Sequence, residues 1–305
     1  MEILVIGGSR YFGKRLIRRL LGAGHRVSVL NRGSSPAPEG VTALRADRND
    51  EKALESVLAG RTFDVVIDQF LYTPRQAEIA LRVFAGRTRR YVMTSTVEVY
   101  EYEDSAVPVA EGAVDPASVA VDLGLPWENP EFLDAHYGEG KRQAEAVFTA
   151  DQGAAFAWAS VRVAHVLGGA DDFTGRVTHY AERIRAGEPI AVPPVNRPAT
   201  YVYVEEIAEF LAWAATGTEF TGPVNAHSHG PLTTAEICAE IEQLTGGRTV
   251  FQEAEVGEVS PFSFARSYGM DNARAEALGF RFSHSSEWLR KALSETVSAT
   301  TAQEA

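Results

Sequence analysis

Glu2-Ile3-Leu4-Val5-Ile6-Gly7-Gly8-Ser9-Arg10-Tyr11-Phe12-Gly13 is the stretch on which the reading of the chain turns. Glu2 to Ile6 is a short, almost wholly apolar run with β-branched residues, and the glycines after it punctuate a strand. From Lys14 the apolar residues Leu16, Ile17, Leu20 and Leu21 recur at helical spacing beside Arg15, Arg18 and Arg19, and Gly22-Ala23-Gly24 supplies a stop. Arg26-Val27-Ser28-Val29-Leu30 then reads as a second strand, so one βαβ unit fits in about thirty residues.

A glycine turn between a strand and a helix suits an anion. The backbone can approach a phosphate closely, and the unpaired N–H groups of the helix face it with the positive end of the helix dipole. Residues Ile6 to Gly13 resemble the TGxxGxxG turn of extended short-chain dehydrogenases/reductases, the group holding sugar-nucleotide epimerases and dehydratases. Arg10 stands where that pattern has its second glycine, as in the atypical GGTRFxG branch. The resemblance implies that Gly7, Gly8, Ser9, Arg10, Tyr11, Phe12 and Gly13 hold a dinucleotide. After the second strand, Asn31 and Arg32 occupy the place where an NAD-preferring fold usually has an acidic residue. With Arg10 they favour NADP(H), while NAD(H) stays open because Asn31 can bond a ribose hydroxyl.

Composition narrows the class. The 305 residues are 45% hydrophobic and 10% aromatic, as in a globular protein of one large or two modest domains. No apolar run approaches the ~20 residues of a membrane helix, and the start lacks the pattern of a signal peptide, so a cytoplasmic protein is expected. Cys238, the single cysteine, lies on a periodic helix and reads as a packed core thiol. A net charge of −12 argues against nucleic acid and for a small-molecule partner. Arg10, Lys14, Arg15, Arg18, Arg19 and Arg32 cluster near the turn, the helical ones also fitting a solvated face. No His, Cys and carboxylate group has metal-ligand spacing; His227 and His229 read as loop, and no metal is expected.

Alternation continues through a strand at 41–47, a helix at 51–58, a strand at 63–68, a helix at 74–84 and a strand at 90–95. Asp47 matches the family position that contacts adenine, or caps the next helix. Gln69-Phe70-Leu71-Tyr72 makes a bulkier loop than the small-residue one usual in relatives. Thr94-Ser95-Thr96-Val97-Glu98-Val99-Tyr100 resembles the SSxxVY segment, which implies that Thr96 orients a substrate oxygen. It is also close to the TDEVY of 4,6-dehydratases, where Glu98 matches a base and Val97 replaces an acid. Glu98 is therefore a candidate base or an ordinary loop residue. Residues 101–133 form a long, acidic, proline-bearing stretch, read as a substrate-side flap including Trp127 or as a surface excursion.

Tyr137 and Lys141, four residues apart, share a helix face. An ammonium there lowers a phenol pKa from near ~10 toward the range of acid/base work. With the glycine turn and the Ser-Thr strand end in the same order as in that family, the resemblance implies that they are the catalytic pair and that Lys141 also holds cofactor. Val161-Arg162-Val163-Ala164-His165-Val166-Leu167-Gly168 resembles LRPxNVYG, which runs along the nicotinamide. Val163 replaces its Pro, and His165 is a substrate contact or a buried structural His. Residues 201–208 resemble the R-D-F/Y-I/V-H-V-x-D-L-A segment, whose phosphate-binding Arg aligns with Ala199, leaving Arg197 as a substitute.

The expected architecture is a doubly wound parallel α/β sheet of Rossmann type at 1–167, with segments near 200–228 returning to it. A mixed α/β substrate domain follows at 168–292, and a flexible tail at 293–305. The expected activity is NADP(H)-dependent oxidation or reduction of a sugar-like carbinol or carbonyl by Tyr137, Lys141 and Thr96. A redox-neutral epimerase or dehydratase using Glu98, and a non-catalytic NADP-sensing or RNA-associated protein, are the alternatives. Relatives commonly dimerise through two helices, and a homodimer is expected.

Overall fold

The computed structural model describes residues 1–33, 36–103, 105, 107–151, 155–255 and 257–304. The elements in chain order are β1 (Glu2–Ile6), α1 (Tyr11–Gly22), β2 (Arg26–Asn31), β3 (Thr42–Arg45), α2 (Glu51–Val57), β4 (Phe63–Asp68), α3 (Pro74–Phe84) and β5 (Thr88–Thr96). Next come α4 (Pro130–Ala135), α5 (Tyr137–Ala150), β6 (Ala157–Val163), β7 (His165–Leu167), α6 (Arg176–Ala186), β8 (Pro189–Val192), β9 (Tyr201–Tyr203) and α7 (Val204–Thr216). The chain ends with β10 (Gly222–Ala226), α8 (Thr234–Thr245), β11 (Val250–Glu253), α9 (Ala273–Ala277) and α10 (Ser285–Glu304).

Seven strands form one sheet in the order β10-β6-β5-β4-β1-β2-β3, with every neighbouring pair parallel. Strand order reverses between β1 and β4, so a crevice opens at their carboxyl ends, where the glycine turn lies. Successive side chains of a strand point to opposite faces. Ile3 and Val5 accordingly pack with Leu16 and Leu20 of α1 and Leu211 of α7, and Leu4 and Ile6 with Ala77 and Ala80 of α3 and Phe148 of α5. Strand β10, far along the sequence, closes the sheet beside β6. The later helices α6, α8 and α10 bury a separate core with Tyr180, Ile237 and Leu293. Cys238 is buried in that core, and burial pushes its thiol up to about 12.

Several expectations change. The third strand is shorter than 41–47, and the fifth extends on both sides of 90–95. Asp50, not Asp47, caps α2, accepting from the Ala53 N–H at 3.0 Å. Arg15 and Arg19 are not a free solvated face: they bridge to Asp171, Glu205 and Glu209 and tie α1 to α7. Within 101–133, of which 104 and 106 lie outside the described residues, Trp127 is buried. Its indole donates to the Asp122 carbonyl at 2.9 Å, and it packs edge-on against Phe132 rather than forming a flap. The expected tail is part of α10, because Leu293, Thr296 and Val297 are buried and Glu295 accepts from the Gly169 N–H and the Tyr203 hydroxyl. Ala305 lies outside the described residues.

One interior network joins these layers. Arg162 of β6 and Glu145 of α5 are both wholly buried and paired at 2.5 Å. The guanidinium also donates to the Tyr100 hydroxyl and to the carbonyls of Glu111 and Val114, each at 2.9 Å. Ser160 donates to Glu145 at 2.5 Å, and Tyr100 donates to Asn225 of β10 at 2.7 Å. A buried pair loses about 3–5 kcal/mol when one partner is removed, because the other charge stays uncompensated. Arg162→Met should therefore cost about that much in urea unfolding, and Arg162→Met/Glu145→Met should cost clearly less than the sum of the single changes. Additive costs would show that the two charges do not depend on each other.

Candidate active site

The glycine turn closes against the loop after β4. Gly7 and Gly8 have φ of +82° and +77°, the region that favours glycine. A Cβ on Gly13 would lie 2.5 Å from the Gly8 Cα, so this glycine lets α1 start tight against the turn. Arg10, by contrast, is in extended backbone with φ −134°, which explains why a side chain is tolerated where the family pattern has glycine. Arg10, at the N-cap, makes no side-chain cap hydrogen bond to α1, so the first backbone N–H groups of the helix are left uncapped at the cleft.

A cleft of about 1020 Å³ runs from this turn across the carboxyl ends of the strands. Residues 7–12 border it, as do Asn31, Arg32 and Asp47, and Gly13 lies outside its lining. Asn31 donates to Ser9 Oγ at 3.0 Å and accepts from the Gly33 N–H at 2.8 Å. Asp47 accepts from the Asn49 N–H at 2.9 Å. Of the six basic residues expected near the turn, Arg10 and Arg32 line the cleft, while Lys14, Arg15, Arg18 and Arg19 do not. The buried Tyr11 hydroxyl, Gln69 Nε2, and Nε and Nη1 of Arg48 have no partner among the described residues, although all three residues line the cleft. A tight backbone cradle, unused buried donors and two exposed arginines fit a long, anionic dinucleotide.

At the other end, β5 delivers Thr96, the turn after it delivers Glu98, and α5 delivers Tyr137 and Lys141. Thr96 faces the Tyr137 hydroxyl and favours its ionised form, while its own Oγ1 accepts from the Glu98 N–H at 3.2 Å. Lys141 is 1% exposed; its Nζ donates to the Thr94 carbonyl at 2.6 Å and sits 4.4 Å from the centre of the Tyr72 ring and 5.6 Å from that of Tyr137. Gly138 permits this approach, since a Cβ there would meet the backbone of Glu98 with its carbonyl carbon at 2.9 Å. Glu98 accepts from Tyr268 at 3.1 Å and pairs with Arg266 at 3.4 Å. Val163 and His165 border the same end.

Arg197 does not line the cleft. It is exposed, and its N–H donates to the Phe264 carbonyl. Arg176 at the start of α6 is the arginine that lines this end, with Arg266 behind Glu98. Sequence reading missed both, together with Phe264, Tyr268 and Arg48. They come from segments without periodicity or a recognisable motif, and only the tertiary fold assembles them.

The electrostatics differ from the expected lowered phenol. Burial pushes the Tyr137 hydroxyl well above its ordinary range, with Tyr72 and Glu98 adding to it and the neighbouring Thr96 hydroxyl opposing. Burial likewise brings Lys141 down to about 7 against the pull of Asp68 and Glu145, and raises Glu98. The protein alone thus holds the Tyr/Lys pair close to neutral, in a desolvated pocket where added charge acts strongly.

The model of the NAD dependent epimerase/dehydratase family matches residues 3–225. The chain belongs to that family. The match takes in the glycine turn and the Tyr137/Lys141 helix. Among curated proteins the chain is 34% identical over 137 residues to the 2'-dehydrokanamycin reductase of Streptomyces kanamyceticus, covering 42% of this chain and 39% of the relative. It is 27% identical over 209 residues to the chloroplast stem-loop binding protein of 41 kDa b of Arabidopsis thaliana, covering 63% and 49%. The chain therefore spans about two-fifths to one-half of the length of these relatives. The UDP-glucose 4-epimerase of Thermotoga maritima, solved with UDP-glucose, superposes with a TM-score of 0.76 at 18% identity over the full length of both chains. That of Thermus thermophilus, solved with NAD, gives 0.66 at 21% identity over 99% of each. These likenesses establish the shared fold. None of the described helices is long and apolar enough to cross a membrane.

Lys141 has a folded-state pKa of about 7, below the 10.5 of a free lysine. Between these values the unfolded chain binds the proton and the folded one does not, so stability rises with pH across the window. Below about pH 7 both states are charged and the burial cost is full. Lys141→Met should therefore gain most over the parent near pH 6, with the gap closing by on the order of 2–3 kcal/mol by pH 9 in urea unfolding. A pH-independent gap would contradict the buried amine.

Proposed function

We propose that this protein is an NADP(H)-dependent reductase or dehydrogenase acting on a carbonyl or carbinol carbon of a sugar-like polyol. The observation that carries the reading is the meeting of Thr96, Tyr137 and Lys141 at one end of a cleft whose other end is a glycine turn flanked by Arg10 and Arg32. Gly7, Gly8 and Ser9 would hold the diphosphate, Arg10 and Arg32 the adenosine end, and Tyr137, Lys141 and Val163 the nicotinamide end. The bound cofactor supplies or accepts the hydride.

Tyr137 moves the proton. Its hydroxyl donates to the carbonyl oxygen as that oxygen gains negative charge, and Thr96 aligns the same oxygen by hydrogen bonding. Lys141, held at the Thr94 carbonyl, lowers the cost of the phenolate left behind when it is in its protonated form, which a negative charge beside it favours. The absence of an acidic residue at Asn31 and Arg32 supports NADP(H) over NAD(H). The likeness to a 2'-dehydrokanamycin reductase supports reduction and a small sugar-like substrate.

Glu98 supports a second reading. Burial raises its carboxyl toward the range of a general base, and it lies in the same cleft. With such a base the chemistry would be a redox-neutral epimerisation or dehydration, and the cofactor would stay bound through turnover.

Denaturing freshly purified protein and titrating the stripped protein separates these readings. The reductase reading expects little released nucleotide and NADPH binding at least about tenfold tighter than NADH, with Arg32→Ala erasing most of the difference. Tyr137→Phe should keep NADPH binding and lose about 10²-fold or more in NADPH oxidation across a panel of keto sugars. Stoichiometric release of tightly held nucleotide would favour the redox-neutral reading, and binding of neither nucleotide would overturn both.

A further inference from the structure

Nε2 of His165 is buried without a partner among the described residues, in a residue that lines the cleft. The ring is 9% exposed and stacks on Phe264, with centroids 5.0 Å apart and planes 9° apart. Tyr201, Phe262 and Tyr268 surround it at 5.8, 6.4 and 5.3 Å. Its other nitrogen, Nδ1, lies 3.4 Å from Nη1 of Arg176.

This contact decides where the proton sits. A guanidinium has donors and no acceptor, so Nδ1 facing it must present a lone pair, and the single proton of the neutral ring is then on Nε2. The charged groups facing the ring are Arg176 from α6 and Arg266 from the late loop, with Glu98 beyond Arg266. Burial first, and then the two arginines, hold the imidazole down to about 3, so it stays neutral through the physiological range. The residue is a buried N–H donor with no acceptor among the described residues. Such a group costs free energy until a ligand satisfies it.

We propose that Arg176 locks His165 as the neutral Nε2–H tautomer, and that this N–H recognises an acceptor oxygen of the substrate, a hydroxyl or carbonyl, at the end of the cleft beyond Tyr137. The inference rests on the reading of that end as the substrate site. It adds a selection rule. A protonated amine at the same point would meet an N–H donor and a guanidinium, with no acceptor and with like charge, so substrates carrying oxygen there are accepted and those carrying an ammonium there are refused. Arg176 acts here as a positioning residue, through the ring.

The test uses the full chain labelled with 15N at histidine, in long-range proton–nitrogen spectra from about pH 5 to pH 8, with His165→Phe for assignment. The expected spectrum shows a protonated-type Nε2 and an unprotonated-type Nδ1 for His165, unchanged across the range, and Arg176→Met restores a mixed tautomer or a titrating ring. A proton on Nδ1 in the parent protein, or a ring that becomes cationic near pH 6, overturns the proposal. This readout needs no turnover, so it is independent of whether NADPH oxidation is found. With a keto sugar that the protein reduces, His165→Phe should raise KM about tenfold or more with NADPH binding unchanged, and His165→Gln, which keeps a donor, should recover part of it. Equal kinetics for the parent and both variants would overturn the recognition role.

Discussion

The structure depends on the buried pairing of Arg162 with Glu145. These are two fully desolvated charges, one on a strand next to the edge of the sheet and one on the helix that carries Tyr137 and Lys141. In so dry a place each charge is tolerable only with the other and with every remaining hydrogen bond filled. Arg162 fills its own with the Tyr100 hydroxyl and two carbonyls of the segment 111–114, and Tyr100 passes the network on to Asn225. Asn225 in turn donates to the carbonyls of Val109 and Asp271. One interaction therefore aligns α5, the turn after β5, the strand β10 from late in the chain, and the long segment between β5 and α5. The position of Tyr137 relative to Thr96 follows from that alignment.

A second constraint is desolvation at the working end of the cleft. Tyr137, Lys141, Glu98 and His165 are all pushed toward their neutral forms by burial as the largest cause. Their partners differ in kind. Lys141 has a carbonyl and an aromatic face, Glu98 has an arginine and a phenol, and His165 has arginines. Neighbouring groups that all resist charge in one pocket make it responsive to any charge a ligand brings, because the low local dielectric leaves it unscreened. In the proposed mechanism this is how an ordinary phenol becomes a proton donor at the moment an oxygen turns negative.

Much of this was legible in the sequence where local chemistry and local structure coincide. The βαβ unit is written in the apolar run Glu2 to Ile6, the glycines after it and the helical spacing of Leu16, Ile17 and Leu20. The shared face of Tyr137 and Lys141 follows from the four-residue interval alone. Arg10 was visible as a departure, but its tolerance depends on a backbone angle. What stayed hidden needs tertiary placement. Arg197 sits close to the family position in sequence yet points its backbone, not its side chain, into a useful contact. Arg176, at the start of α6, bears no motif. The residues after 292 look like a polar tail by composition, but Leu293, Thr296 and Val297 form the buried stripe of a helix. The length and acidity of 101–133 suggested a flap that includes Trp127, whereas the indole is committed to Asp122.

The most direct test of the account is to follow deuterium from NADPH deuterated at both C4 positions into product, using a keto sugar and comparing the parent protein with Tyr137→Phe. The account predicts one deuterium at the new carbinol carbon for each NADP+ formed, and loss of that transfer in the variant while NADPH still binds. Product without deuterium, or transfer at an undiminished rate in Tyr137→Phe, would contradict it.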